Sequence, residues 1–310
     1  MSIIVNQLSY DYPGKRALEN VSFTIEDNTI TALVGPNGAG KTTLMRAMAA
    51  LTSPMTGTIK MDGWDVDRHP RKVHNICSYL SDFFGLYDQL TVEQCLTFFA
   101  LSHDIATDLP TLIQQTAKQL QIENLLQTKA GKLSRGLRQR LAIAQVIIHN
   151  PKILLLDEPA AGLDPSARYH LSELLRILQK SGMTIVVSSH ILAELEDYCT
   201  HMLVIDNGKL VKHCSLNEIN NAVIIQVRIE LTEPAEKHTQ TIQAIPGITL
   251  LTTTQNELIV SLETQVLSQA DLLKSLMAKD IPVSSIHTQK QKMQDVYMDA
   301  TQNKSKDKDR

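Results

Sequence analysis

Short apolar runs bounded by turn residues recur through the first two thirds of the chain, at 31–34, 153–156 and 184–187. Runs of this length without polar alternation predict strands covered on both faces, as in a parallel sheet flanked by helices. A further strand is expected at 76–80, and 202–212 reads as a hairpin turning at Asn207-Gly208. Between these strands, 42–50 and 167–181 carry helix-forming patterns. Upstream, 3–10 and 21–25 are rich in β-formers with a turn at 26–28, and 57–61 precedes Asp62-Gly63, which together predict an antiparallel β layer. Pro70 is preorganised for the first turn of a short helix. At Thr91 and Gln94 a capping box precedes the apolar series Cys95, Leu96, Phe98 and Phe99. The stripe Leu137, Leu141, Ala144 and Ile148 keeps near-helical spacing, so an almost continuously helical block is expected at about 88–150, ended by Pro151.

Beyond about residue 217 the character changes. Strands at 222–231, 249–254, 258–262 and 283–288 alternate with helices at 236–245 and 265–278, a β-α-β-β-α-β order that suggests a small ferredoxin-like domain. The expected organisation is an α/β domain at 1–216 with a helical insert, an accessory α+β domain at 217–300, and a disordered, charge-alternating tail at 301–310.

The 310 residues, 43% hydrophobic, have room for about two such domains. A formal net charge of −3 gives no bulk attraction to polyanions, so nucleic acid is not an expected partner. Cys77, Cys95, Cys199 and Cys214 have neither metal-ligand spacing nor the density of a disulfide scaffold, and read as reduced packing thiols of a cytosolic protein. The amino terminus does not read as a leader, and no apolar run approaches the roughly 18 residues of a membrane span. A role at a membrane would therefore need another chain to provide the crossing.

The chemistry concentrates at residues 35–43, Gly-Pro-Asn-Gly-Ala-Gly-Lys-Thr-Thr. Gly35, Gly40, Lys41 and Thr42 fit the phosphate-binding loop pattern, and the loop sits between a predicted strand and a predicted helix. There, backbone N–H groups and the positive end of a helix dipole converge on a polyphosphate, Lys41 reaches the terminal phosphates and Thr42 holds Mg²⁺. The strand at 153–156 ends in Asp157-Glu158, and the strand at 184–187 delivers Ser189-His190. Ligands of open α/β sheets bind beyond the carboxyl ends of the strands, so loop, acids and histidine are expected in one site. Tyr12, in a Pro-Gly loop, either stacks on a purine or covers the sheet edge.

Together with Leu133-Ser134-Arg135-Gly136-Leu137-Arg138-Gln139-Arg140 ahead of a predicted helix, and Gly162-Leu163-Asp164-Pro165 after the acids, this order resembles the nucleotide-binding subunit of an ATP-binding cassette (ABC) transporter over nearly all of residues 1–210. The resemblance implies a P-loop NTPase core with an antiparallel β layer and an inserted helical subdomain, and ATP hydrolysis with Mg²⁺. It implies that Tyr12 stacks on adenine and that Gly35, Pro36, Asn37, Gly38, Ala39, Gly40, Lys41, Thr42 and Thr43 cradle the phosphates. Thr42 and Asp157 would attend the metal, with Glu158 and His190 catalytic. Ser134, Arg135 and Gly136 would act in trans on ATP held by a second such subunit, an identical copy in a homodimer, with Asp164 in the D-loop and Asp82 at the Q-loop. Integral membrane permease subunits are the implied partners, which would hold the protein on the inner face of the cell membrane. The C-terminal domain, with Met293-Gln294-Asp295-Val296-Tyr297-Met298 near its end, resembles the extension seen in many bacterial exporter ATPases of the drug- and polysaccharide-efflux type, which favours export.

Two positions depart from the family pattern. Arg135 stands where glycine is usual, and either points away from nucleotide or adds a charge-assisted contact to a γ-phosphate. Asp82 stands where glutamine is usual, and an ionised Asp accepts hydrogen bonds but does not donate them, which predicts weakened coupling to Mg²⁺. Phe83, Phe84, Leu86 and Tyr87 follow, and either receive a permease helix or fill the core of the helical insert. A soluble ABC protein with a regulatory or assembly role, and a weakly hydrolysing regulatory cassette, are the alternative functions.

Overall fold

The computed structural model describes residues 2–105, 108–216, 224–263, 266–289 and 293–298. Two compact units divide the chain, one built on Met1–Cys214 and the other on Ser215–Val296.

In the first unit the fully apolar runs form the middle of a six-stranded sheet in the order β10-β9-β3-β8-β7-β6. Here β3 is Ile30–Val34, β6 Cys77–Leu80, β7 Ile153–Leu156, β8 Thr184–Ser189, β9 His201–Asp206 and β10 Lys209–Ser215. Every residue of β3, β7 and β8 is buried, as expected of strands with both faces covered. Pairing is parallel, with Val34 opposite Ser189 and Leu156 opposite Val187, so β3, β7 and β8 end on the same edge.

A second, antiparallel sheet has the order β2-β1-β4-β5, from β1 (Ile3–Tyr12), β2 (Lys15–Ile25), β4 (Thr56–Met61) and β5 (Trp64–Asp65). The first hairpin is tighter than the sequence pattern suggested. β1 continues through Tyr12, which pairs with Lys15, because Arg16 reaches across to Asp11 at 2.9 Å and the turn needs only Pro13 and Gly14. Between the sheets lies α1 (Lys41–Met48); its Leu44, Met45, Ala47 and Met48 share one core with Ile3, Leu8, Leu18, Leu33, Leu155 and Val186. Each of the Leu, Ile, Val and Met side chains contributes about 1.5–3 kcal/mol by leaving water, and Ala47 less.

The helical insert is more broken than its periodicity implied. Its helices are α3 (Val92–Ser102), α4 (Leu109–Gln119) and α5 (Arg135–Ile147), with 3-10 turns at Glu123–Leu125 and Ala130–Lys132. Asp104 and Gln121 take left-handed backbone conformations just after the ends of α3 and α4, Asp108 takes one just before α4, and a proline stands in the first turn of α4. The capping box at Thr91 and Gln94 forms at the start of α3. Where α3 and α5 end, the rings of His103 and His149 stack at 3.7 Å. Among the described residues the unit also has α2 (Pro70–Ile76), α6 (Pro165–Lys180) and α7 (Leu192–Leu195). Among the described residues no helix is long and apolar enough to cross a membrane.

The second unit is a four-stranded antiparallel sheet in the order β12-β13-β11-β14, from β11 (Ile224–Leu231), β12 (Ile248–Thr253), β13 (Glu257–Glu263) and β14 (Val283–Gln289). Strict alternation in β13 sends Leu258, Val260 and Leu262 into a core with Ile242 of α8 (Thr239–Gln243) and Leu272 and Leu276 of α9 (Gln269–Ala278). The helix expected at 236–245 is a 3-10 turn at Ala235–His238 running into α8, and Pro246-Gly247 prevents its extension. α9 begins later than expected because Ser268 caps it, accepting from the Asp271 N–H at 3.2 Å. The expected tail at 301–310 lies outside the described residues.

Burial, reinforced by His103, pushes His149 down to about 4 from an ordinary 6.5. His103 is also lowered, by burial and by His74, against an opposing pull from Asp104. Between those pH values the unfolded chain binds a proton at His149 that the folded chain refuses. The stability from this group is therefore complete above pH 6.5 and lost as pH falls through about 4. In urea unfolding, His149→Gln is expected to lose less stability than wild type between about pH 7 and pH 4.5; equal losses would contradict this.

Candidate functional site

The carboxyl edge of the parallel sheet is where the chain gathers its polar residues. Leaving β3, residues 35–40 wrap the start of α1 at a distance no larger side chain would permit. A Cβ at Gly35 would lie 2.0 Å from the Ile205 carbonyl oxygen, and one at Gly40 would lie 2.6 Å from that of Ala17. From behind, the β9–β10 turn braces the loop: the Gly208 N–H donates to the Ala39 carbonyl at 3.0 Å, and its carbonyl accepts from Glu19 N–H at 2.8 Å. Lys41 is buried, its ammonium donating to the carbonyls of Gly35 at 2.8 Å and Pro36 at 3.2 Å. Burial lowers its pKa, against an opposing pull from Glu158 and Asp157.

A cleft of about 330 Å³ opens over this loop. Asn37, Gly38, Gly40, Lys41, Thr42 and Thr43 form its floor, and Tyr12, Asp82, Asp157 and Glu158 its sides. Tyr12 is 42% exposed, with its hydroxyl 3.5 Å from Thr43 Oγ1 and its ring edge-on to Tyr10 at 5.0 Å, which leaves a ring face available for stacking. Lys15 and Ala17 also line the cleft. Sequence reading passed over both, although a lysine directly after the Pro-Gly turn, three residues from Tyr12, was a usable signal.

Asp157 is buried at 2% exposure, and each of its carboxylate oxygens has a donor. Ser188 donates to Oδ1 at 2.5 Å and the Tyr79 hydroxyl to Oδ2 at 3.3 Å. Burial and the neighbouring Asp157 charge push Tyr79 well up from its ordinary value, so it stays a donor. Glu158 has φ 49°, a left-handed conformation that costs a non-glycine residue about 1–3 kcal/mol. Its N–H donates to Ser188 Oγ at 2.9 Å, and its Oε2 accepts from His190 Nδ1 at 2.9 Å. Asp157, Glu158 and His190 therefore stand together, as the strand ends require. Behind them Arg168 of α6 pairs with Glu194 of α7 at 2.7 Å, and Glu194 is raised by burial against the lowering pull of Arg168.

Ser134, Arg135, Gly136 and Asp164 do not join this group. They line a separate cleft of about 390 Å³ with Gly162 and Leu163. Ser134 caps α5, accepting from the Leu137 N–H at 3.5 Å, and Asp164 caps α6, accepting from Ala167 N–H at 2.8 Å. The guanidinium of Arg135 donates to the Ala161 carbonyl at 2.8 Å, within its own chain. Asp82 likewise turns on itself: its Oδ1 accepts from the Phe83 N–H at 2.8 Å. Phe83 is 94% exposed, whereas Phe84 is half-buried; Tyr87 and Phe98 are also exposed, with rings 5.5 Å apart.

The cleft fits a magnesium nucleotide: Gly35 and Gly40 let the loop pack directly on the Ile205 and Ala17 backbone, Lys41 supplies positive charge, and Thr42 and Asp157 would offer hard oxygen ligands. Gly40→Ala adds a Cβ against Ala17 at a residue of φ 108°. Calorimetric titration with ATP is expected to show affinity reduced tenfold or more, and an unchanged affinity would contradict the cradle.

Comparison with known proteins gives a consistent answer. A family model described as ABC transporter matches residues 18–161. The chain is 32% identical over 206 residues to the ABC transporter ATP-binding protein NatA of Bacillus subtilis, covering 66% of this chain and 84% of that one. It is 32% identical to the Nod factor export ATP-binding protein I of Burkholderia thailandensis, covering 74% and 80%. Among solved structures, cbiO1 of Clostridium perfringens, part of the ABC transporter complex cbiONQ, superposes with a TM-score of 0.63 at 28% identity, covering 71% of this chain and 94% of that one.

Proposed function

The chain belongs to the ABC transporter ATP-binding proteins, a family that hydrolyses ATP, and from that premise we propose that it is the motor subunit of an exporter. In this reading two copies close around ATP and drive transport through separate integral membrane permease subunits, at the inner face of the cell membrane. A phosphate cradle, two acids and a histidine at one sheet edge, with the signature serine in a separate cleft, support it most directly. Each copy then carries two half-sites, and Ser134 with the N–H groups at the start of α5 faces nucleotide held by the other. Relatives named for Nod factor export and multidrug transport favour the outward direction.

The residues divide the work of phosphoryl transfer, which is mostly positioning and charge neutralisation. Tyr12 stacks on the base. Lys41, which bonds to main-chain carbonyls in the described structure, turns to the terminal phosphate oxygens. Thr42 and Asp157 would hold Mg²⁺, which screens charge between the phosphates when bound. Glu158 polarises the attacking water, and its hydrogen bond to His190 fixes the carboxylate and brings the imidazole toward the γ-phosphate. Phe83, Tyr87 and Phe98 form an apolar surface of the kind that receives a partner helix. Its most exposed member is Phe83 rather than Phe84. A weakly hydrolysing cassette is the second reading, favoured by Asp82, whose carboxylate caps its own loop.

Glu158→Gln separates the two. With ATP and Mg²⁺ the exporter motor is expected to lose turnover by about 100-fold or more and accumulate as a dimer in light scattering. A variant that stays monomeric at saturating ATP would contradict the motor reading. Phe83→Asp is expected to reduce capture of the permease from detergent extracts while leaving the melting temperature unchanged; lost thermal stability with intact capture would assign the residue to folding.

A further inference from the structure

We propose that Ser188 is a positioning residue of the hydrolytic site, a single hydroxyl that sets the metal-binding acid and the water-activating acid at once. The proposal rests on the ATPase reading above and concerns a residue that touches neither nucleotide nor water in it.

The register of the sheet puts Ser188 in place. Leu156, the last residue of β7, lies opposite Val187, so the next residue of each strand, Asp157 and Ser188, continue side by side. The pattern of β8 is otherwise apolar through Ile185, Val186 and Val187, and Ser188 is 0% exposed. A hydroxyl enclosed there must find partners or cost the fold its desolvation. It finds two, in opposite senses: its proton goes to Asp157 Oδ1 at 2.5 Å, and its lone pair accepts the Glu158 N–H at 2.9 Å.

Each bond constrains a different part of the site. The first, with Tyr79 on Oδ2, fixes the carboxylate plane of Asp157 and leaves its remaining lone pairs for a cation or its water. The second satisfies the amide of a residue in the left-handed region, where a side chain persists only if the surroundings over-determine it. That conformation carries the Glu158 side chain to His190. A hydrophobic residue at 188 would fill the space and hold neither acid.

Ser188→Ala removes one oxygen from an enclosed position and should fold. In the nucleotide-free variant, hydrogen exchange at the Glu158 amide is expected to speed at least tenfold while Leu155 and Val186 stay protected. With nucleotide, kcat should fall about 10–100-fold and the Mg²⁺ concentration for half-maximal turnover should rise, with ATP affinity in EDTA unchanged. Ser188→Thr, which keeps the hydroxyl, should recover most of the exchange protection and the Mg²⁺ dependence. Wild-type exchange, kcat and Mg²⁺ dependence in Ser188→Ala would overturn the proposal, as would a parallel loss of ATP affinity in EDTA or a threonine variant no better than alanine. Absence of Mg²⁺-dependent turnover in the wild type would instead remove the ATPase reading, and the amide exchange would then decide the clamp alone.

Discussion

The parallel register of β3, β8 and β7 is the constraint on which everything else in the first unit depends. Because Val34 lies opposite Ser189 and Leu156 opposite Val187, three segments distant in sequence stop at one edge: the phosphate loop, the acid pair and the histidine loop. A slip of one residue between β7 and β8 would point each side chain to the other face of the sheet and separate Asp157 from Ser188. The slip is opposed by burial on both faces, since every residue of the three strands is enclosed. Chemistry at the edge is thus held by apolar packing behind it.

Around that edge the chain spends stability on geometry. Glu158 sits in a left-handed conformation, Lys41 is a buried cation, and Glu194 is raised by burial beside Arg168. Each is tied to a neighbour: Glu158 to Ser188 and His190, Lys41 to the Gly35 and Pro36 carbonyls, and Glu194 across to α6. The last tie is notable because α6 begins at the cap made by Asp164, in the second cleft, while α7 follows His190. One ion pair therefore joins helices that leave the two clefts. Arg135 adds another link, from the start of α5 to the Ala161 carbonyl just beyond the acids.

What could be read from residues and what could not follow a physical division. Local signals were legible: the glycines of the phosphate loop, the Thr91 capping box, and the apolar runs of β3, β7 and β8 each depend on neighbours in sequence. Contacts that exist only after strands pair were not. Ser188, Tyr79 and Lys15 reach the site from three different strands; Ser188, a hydroxyl closing an apolar run, and Lys15, a cation directly after the Pro-Gly turn, left slight traces in the pattern, and Tyr79 left none. The helical insert misled because its period persists across breaks set by the backbone at Asp104, Asp108 and Gln121. The first hairpin was read too loosely because a cross-strand ion pair, Arg16 with Asp11, draws its strands past the expected end.

The central claim is that the two clefts of one copy are halves completed by another. Cross-linking tests it most directly, because Cys77, Cys95 and Cys199 are buried and only the partly exposed Cys214 needs removal. In a Cys214→Ser background, one preparation would carry Asn37→Cys at the phosphate loop and the other Ser134→Cys at the start of α5. Mixed under oxidising conditions, they are predicted to form a disulfide-linked pair with Mg²⁺ and a non-hydrolysable ATP analogue, and little without nucleotide. Absence of the pair with nucleotide present, or equal yield without it, would contradict the account.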